Sequence, residues 1–190
     1  MTAVRVGCGW DIHPMVAGRK LILGGLEIPH HKGLQGHSDS DALVHAICDA
    51  LLGAMGEGDL GRHYPSSDQR FKNISSLKLL EDVVQKLRAK GYRLANVDST
   101  IIAQAPRLSP HLAAMQKIIA GVLEVDPDLV NVKVKSGEGL DAVGREEAIA
   151  ARASEPVHGW QPWFWEDQMH LLGWVSPGDG ETVYGIELEM

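Results

Sequence analysis

Apolar residues recur along this chain with two different periods. Val4, Val6 and Cys8 alternate with small or polar positions, the period of a strand. From Asp41 to Met55 the spacing changes. Leu43, Val44, Ile47, Leu51 and Met55 follow the helical repeat, and Gly53 with Gly56 marks the end of that helix. A second helix opens at Ser75 or Ser76 and runs through Leu79, Leu80, Val83, Val84 and Leu87. It stops at Lys90-Gly91, where a basic last turn and a glycine suit a helix C-terminus. Residues 21 to 29 read as two short strands around Gly24-Gly25. Tyr92 to Ala105 is rich in β-formers, Ser109-Pro110 opens a third helix that ends near Glu124, and Val130 to Val134 is another strand. This alternation predicts an α/β fold of the α+β sandwich kind, a mixed sheet with helices packed on it.

Composition narrows the setting. With 190 residues the chain can hold one full core but not two ordinary domains. A net charge of −7, without any Lys/Arg-rich run, argues against a broad nucleic-acid or membrane surface, so a phosphate-bearing ligand would be held locally. Cys8 and Cys48 lack Cys-x-x-Cys spacing and sit among apolar residues, which reads as two reduced core thiols of a cytoplasmic protein. No apolar stretch approaches the ~18 residues of a membrane span, and the first residues lack a signal-peptide core.

The chemistry concentrates near the N-terminus. In Gly9-Trp10-Asp11-Ile12-His13, Asp11 and His13 lie two apart, so on a strand both face the same way. His45, on the first helix, would complete a divalent metal site with three protein ligands and one open position. A single Asp-x-His pair also suits a strand-end hydrogen bond. The density of His37, Asp39, Asp41, His45 and Asp49 favours the metal. Asp41 and Asp49 stand one helical turn to either side of His45, placed to accept its second N–H or to lie solvated on the helix.

Five segments in order, 9–13, Gly-His-Ser-Asp-Ser-Asp at 36–41, Gly-Asp-Leu-Gly at 58–61, Asn-Val-Asp-Ser-Thr-Ile-Ile-Ala-Gln-Ala-Pro at 96–106 and Asn-Val-Lys-Val-Lys-Ser-Gly-Glu-Gly-Leu at 131–140, closely resemble the 2-C-methyl-D-erythritol 2,4-cyclodiphosphate synthase family. The resemblance covers residues 4 to about 152. It implies a lyase of non-mevalonate isoprenoid biosynthesis that cyclises 4-diphosphocytidyl-2-C-methyl-D-erythritol 2-phosphate and expels CMP. It also implies a homotrimer with active sites between subunits. Asp11, His13 and His45 would hold zinc or another divalent ion. Glu138 would serve a second ion, magnesium or manganese, on the diphosphate. His37 and Ser136 match the positions credited with transition-state stabilisation, and residues 37–41, Ser38 included, would form a mobile loop over the substrate. Asp59 and Gly61 match contacts to its hydroxyls, and Tyr64, Ser66 and Asp68 further contacts. Ala103, Ala105, Pro106 and Arg107 resemble the cytidine pocket. Lys135 and Ala142 fall in the substrate-binding stretch, and Arg145 matches an arginine near the trimer axis, where family members bind an isoprenoid diphosphate.

Several positions depart from that pattern: Ser66 for aspartate, Lys135-Ser136 for Thr-Thr, and Asp141, Ala142 and Glu146 for small, aromatic and glycine residues. Two rival readings follow, a metal phosphohydrolase in which water attacks, and a trimeric binding protein that has lost turnover. The composition also shifts from Ser154 onward. Four of the five tryptophans (Trp160, Trp163, Trp165, Trp174) lie there with Pro156, Pro162 and Pro177. The expected division is a synthase domain over 1–153 and an atypical Trp/Pro-rich extension over 154–190, its aromatics packed on the domain or on another subunit. Because proline is poorly tolerated inside a central strand, the last strand should stop short near Ala151 or be replaced by the tail.

Overall fold

Two glycines set how closely the first strand and first helix approach. A Cβ on Gly7 would lie 1.7 Å from the Ala50 carbonyl oxygen, and one on Gly9 would lie 1.9 Å from that of Ala46. Only a strand bare of side chains there can lie directly beneath the helix. In the computed structural model, which describes residues 4–159 and the backbone of 162–165 and 168–171, this strand is β1 (Val4–Ala17) and the helix α1 (Ala42–Met55).

Between them come β2 (Leu21–Leu23) and β3 (Leu26–Ile28), paired as a hairpin, and β4 (Lys32–Leu34), which returns antiparallel to β1. After α1 follow a short α2 (Leu60–His63), α3 (Ser76–Ala89), β5 (Tyr92–Leu94), β6 (Val97–Ile102), α4 (Leu112–Leu123), β7 (Val130–Lys135), α5 (Asp141–Gly144) and β8 (Ala148–Gly159). The main sheet runs β4-β1-β8-β6-β7, with β5 also on β8; β6 and β7 are parallel and the other pairs antiparallel. The predicted mixed α/β fold is therefore observed.

Alternation along β1 divides its two faces. Gly7, Gly9, Asp11 and His13 face α1, whereas Val4, Val6, Trp10 and Ile12 stay exposed, Val6 at 68% and Trp10 at 58%. Cys8 shares the open face, so it is an exposed thiol and not the core residue the sequence suggested; Cys48, on α1, is fully buried. The core lies between the helices and the covered face, built from residues such as Leu43, Ile47, Leu51, Leu80, Ile101 and Ile119.

The last strand neither stops near Ala151 nor gives way to the tail: β8 continues through Pro156 in register with β1, Val6 opposite Pro156. The Pro156 carbonyl accepts the Ala95 N–H at 2.9 Å, so its ring nitrogen faces the same side. That side is the gap between β5 and β6, where no ladder donor is required. Its neighbour Glu155 points inward. The side chain is 0% exposed, and neither carboxylate oxygen has a hydrogen-bond partner among the described residues. Burial holds this carboxyl well above the usual range, with a further push from Cys8. Beyond Gly159, the backbone of β9 (Pro162–Trp165) pairs with β10 (Gln168–Leu171). The expected packing of the tail aromatics lies outside the described residues.

Candidate active site

Where β1 leaves the shelter of α1, Asp11 and His13 meet His45. Asp11 Oδ2 stands 2.9 Å from His13 Nε2 and 2.9 Å from His45 Nδ1, and the two nitrogens are 3.1 Å apart. The far nitrogen of each ring is engaged. His13 Nδ1–H donates to the Gln35 carbonyl at 2.9 Å. His45 Nε2 lies 2.9 Å from Ser76 Oγ, whose hydroxyl donates to the Asp39 carboxylate, while the Ser76 N–H donates to the other Asp39 oxygen at 2.9 Å. With the outer nitrogens as donors, both rings turn lone pairs towards Asp11. This is the tautomer a metal-binding imidazole needs.

Charge completes the picture. Burial opposes ionisation of Asp11, yet hydrogen bonds and attraction from His13 and His45 outweigh it and hold the carboxyl well below the usual range. For His13, burial disfavours the charged ring, and Asp11 more than offsets that, raising its pKa. A carboxylate that draws a proton onto a neighbouring imidazole offers the same attraction to a cation. The three ligand atoms lie within 4.8 Å of one another, and tetrahedral zinc, with bonds of ~2.0–2.2 Å, spans edges of roughly 3.3–3.6 Å. One carboxylate and two imidazoles thus fit a divalent ion in chemistry and in size.

The flanking acids do other work. Asp41, fully buried, caps α1 through the Val44 N–H at 3.1 Å and accepts Gly24 N–H at 2.9 Å and Gly25 N–H at 2.6 Å, tying the β2–β3 turn to the helix. Burial pushes its carboxyl up to about 6 even though those three donors pull it down. Asp49 accepts the Leu60 N–H at 2.7 Å and so anchors the start of α2. Neither serves His45. Ser38 Oγ at 3.2 Å and Ser76 Oγ at 2.9 Å do, and Ser76 escaped the sequence reading because it looks like an ordinary helix start and its link to Asp39 spans 37 residues. Gln35, a carbonyl partner, leaves no side-chain signature at all.

A cavity of about 420 Å³ opens over the triad. Its wall includes Asp11, His13, His37, Ser38, His45, Asp59, Gly61, Tyr64 and Ser66, nine of the residues singled out from sequence, together with Asp49 and apolar Leu60, Phe71, Ile74 and Leu79. Asp59 caps α2 through the Arg62 N–H at 2.8 Å. The Tyr64 hydroxyl donates to Asp82, which raises the phenol's pKa further after burial. His37 Nε2–H donates to the Asp68 carbonyl at 3.0 Å. Asp68 itself is outside the wall, chelated by Arg70 at 2.6 Å. The loop 37–41 is held by hydrogen bonds in this structure. Arg19 donates to the Gly36 and Ser38 carbonyls at 3.1 and 3.0 Å, Asn73 N–H to the His37 carbonyl at 2.8 Å and Asp39 N–H to the Ile74 carbonyl at 3.0 Å.

The remaining candidates form a second group, and none of them lines this cavity. Ala103 N–H donates to the Lys135 carbonyl at 2.9 Å, Gly139 N–H lies 3.4 Å from Gln104 Oε1, and Ser136 donates to Glu138. These contacts join the loop carrying Ala105, Pro106 and Arg107 to the one carrying Lys135, Ser136 and Glu138. Glu138 is exposed and stands apart from the triad. Arg145 is bound to Glu147 at 2.9 Å, and Ala142 packs against a small cluster of Val143, Ala148 and Ala150. A larger cavity, about 520 Å³, lies at the far end of α3 with no such convergence of ligands, so the smaller one is the candidate reactive site.

Comparison with known proteins agrees with the geometry. The YgbB family profile matches residues 4–157. A curated 2-C-methyl-D-erythritol 2,4-cyclodiphosphate synthase of Desulfosudis oleivorans is 55% identical over 148 residues, which cover 78% of this chain and 88% of the relative. The bifunctional enzyme IspD/IspF of Albidiferax ferrireducens is 57% identical over 150 residues, 79% of this chain but only 36% of that protein. Among solved structures, the IspF–CDP complex from Plasmodium falciparum is similar at a TM-score of 0.74 and 31% identity, covering 84% of this chain and 98% of the other.

Proposed function

The chain belongs to the YgbB family, and we propose from that premise how its residues divide the work of cyclising 4-diphosphocytidyl-2-C-methyl-D-erythritol 2-phosphate, in non-mevalonate isoprenoid biosynthesis. Synthase relatives at 53–56% identity support the reaction. It is a phosphorus–oxygen lyase reaction. The 2-phosphate oxygen attacks the β-phosphorus, the bond to the α-phosphate breaks, and CMP leaves as 2-C-methyl-D-erythritol 2,4-cyclodiphosphate forms. Attacker and target belong to one molecule, so no protein nucleophile is required and the barrier falls through positioning and charge stabilisation.

The single observation that carries this reading is the pair of locked imidazoles turned on Asp11 at the mouth of the 420 Å³ cavity. Asp11, His13 and His45 would hold a divalent ion, with zinc preferred by the donor set; once bound it supplies Lewis-acid polarisation of the phosphoryl oxygens. Asp59 and the Gly61 backbone take the methylerythritol hydroxyls. His37, fixed by the Asp68 carbonyl, donates to phosphoryl oxygen, and Leu60, Phe71, Ile74 and Leu79 exclude water that would otherwise compete as nucleophile.

The second group of residues completes the site from a neighbouring copy. Ala103 to Arg107 would take the cytidine, Ser136 would donate to the phosphates, Lys135 would add a cation, and Glu138 would hold the second ion. Support comes from the open sheet face, where Val4, Val6 and Trp10 stay exposed at 58%, 68% and 58%. A homotrimer covers it and brings the two halves together.

Phosphorus NMR of the protein with substrate, zinc and magnesium tests the reading. Cyclic diphosphate together with CMP supports it. Linear methylerythritol phosphates would establish hydrolysis instead, and metal-loaded protein without turnover would contradict catalysis.

A further inference from the structure

The larger cavity lies about one helix length, ~20 Å, from the reactive site, since α3 begins at Ser76 beside His45 and ends at the groove. Its mixed wall carries apolar Val84 and Leu87 of α3, Leu94 of β5, and Leu123 and Val125 at the end of α4, and also holds Tyr92 and three charged residues. Arg88 stands on its rim, paired with Glu124 at 2.9 Å, and Arg93 is beside it. We propose that this groove is the docking site of the chain's own C-terminal segment, residues 160–190.

Four observations converge on that occupant. The first is position: Gly159, the last residue of β8, is in register with Tyr92 of the groove wall, and a Cβ on Gly159 would meet the Tyr92 ring at 3.1 Å. The strand therefore ends at the groove's edge, and the 31 residues 160–190 have ample reach at ~3.3 Å each. Charge is the second. The segment carries six acids (Glu166, Asp167, Asp179, Glu181, Glu187, Glu189) and no lysine or arginine. Of the 25 acids and 18 bases in the whole chain, 19 acids and all 18 bases fall in residues 1–159, so the segment holds nearly all of the net charge of −7. An acidic segment suits a rim that carries Arg88 and Arg93. Composition is the third, since Trp160, Trp163, Phe164, Trp165 and Trp174 are large apolar residues of the kind that fill such a groove. The fourth is the β9–β10 pair, because an isolated two-stranded hairpin is marginal in water and needs a surface to lie on.

The test uses the full chain with Trp10→Phe, so that tryptophan fluorescence reports the tail alone. Docking predicts blue-shifted emission and acrylamide quenching several-fold weaker than in urea, independent of protein concentration. Val125→Glu in the groove wall and Arg88→Glu on its rim should each restore strong quenching, with circular dichroism and cyclisation rate unchanged. Arg88 is exposed, so its reversal leaves the core untouched and stays informative if Val125→Glu unfolds. Quenching as strong as in urea, or protection that survives both substitutions, overturns the proposal; protection that grows with concentration beyond assembly of the enzyme assigns the groove to a second copy and overturns it as well. A chain inactive in cyclisation that still shows these shifts would refute the catalytic reading and leave the docking intact.

Discussion

The two faces of β1 differ by one residue of register and by everything else. Gly7, Gly9, Asp11 and His13 face α1, whereas Val4, Val6, Cys8, Trp10 and Ile12 face away from it. On the covered face the absence of side chains lets the helix settle onto the backbone, and that close approach delivers His45 to Asp11 at 2.9 Å. On the open face the apolar side chains have none of the described residues above them. One strand thus separates its ligand-bearing face from its apolar face by the two-residue period of its pleat.

The largest expected effect comes from breaking the covered face at its functional end. His45→Ala should remove bound metal and lower turnover by roughly three orders of magnitude or more, read by elemental analysis and phosphorus NMR. Full activity in that variant would remove the metal assignment. Further along the same face, Gly7→Val must push α1 away from a carbonyl that a Cβ would approach to 1.7 Å. A cost of about 3 kcal/mol, a fall in melting temperature of roughly 10 °C, is expected in calorimetry. On the open face, Trp10→Glu should leave the fold intact by circular dichroism but cost about 2 kcal/mol of association, seen as smaller species in sedimentation and as activity lost on dilution. An unchanged sedimentation profile would assign the apolar stripe another role. Ser76→Ala leaves all three ligands in place but removes the closer of the two hydroxyls on the far nitrogen of His45, Ser38 Oγ at 3.2 Å remaining, so metal affinity should fall by roughly 10-fold in competition with a chelator.

The smallest effect concerns the two buried acids. Asp41 receives three N–H donors, whereas Glu155 receives none among the described residues. Glu155 is therefore the costlier of the two to ionise. Its folded pKa is raised above the ordinary 4.5, so the folded chain holds that proton where the unfolded chain releases it. Stability is thus greatest below about pH 4.5 for this group and falls as pH rises towards the folded value. Glu155→Gln keeps the shape and abolishes that slope, and at pH 8 it should gain about 1 kcal/mol over the parent while the difference shrinks at pH 5. Parallel pH profiles for the two proteins would show that water or another group satisfies the carboxylate.

Much of this was legible in the sequence because it is local. The helical repeats marked α1, α3 and α4, and the two-residue spacing of Asp11 and His13 placed them on one face. The errors trace to information that is not local. Counting Cys8 as core treated its apolar context as inward-facing, when Gly7 and Gly9 on either side take the inward positions and Cys8 lies on a face that the described residues leave open. Ser154-Glu155-Pro156 read as a break because proline lacks a donor; the strand survives since the missing donor points into the gap between β5 and β6. Of the supports of the two histidines, Ser38 and Asp39 lie within the 36–41 motif, whereas Gln35 and Ser76 are joined to the site by contacts 22 to 37 residues apart and no motif announces them.

The most direct test of the central claim is anomalous diffraction from crystals of the full chain grown with zinc, measured on both sides of the zinc edge. The account predicts a peak bounded by Asp11 Oδ2, His13 Nε2 and His45 Nδ1, with the open coordination position facing the 420 Å³ cavity. A peak elsewhere, or none at these three atoms in protein that turns over substrate, would contradict it.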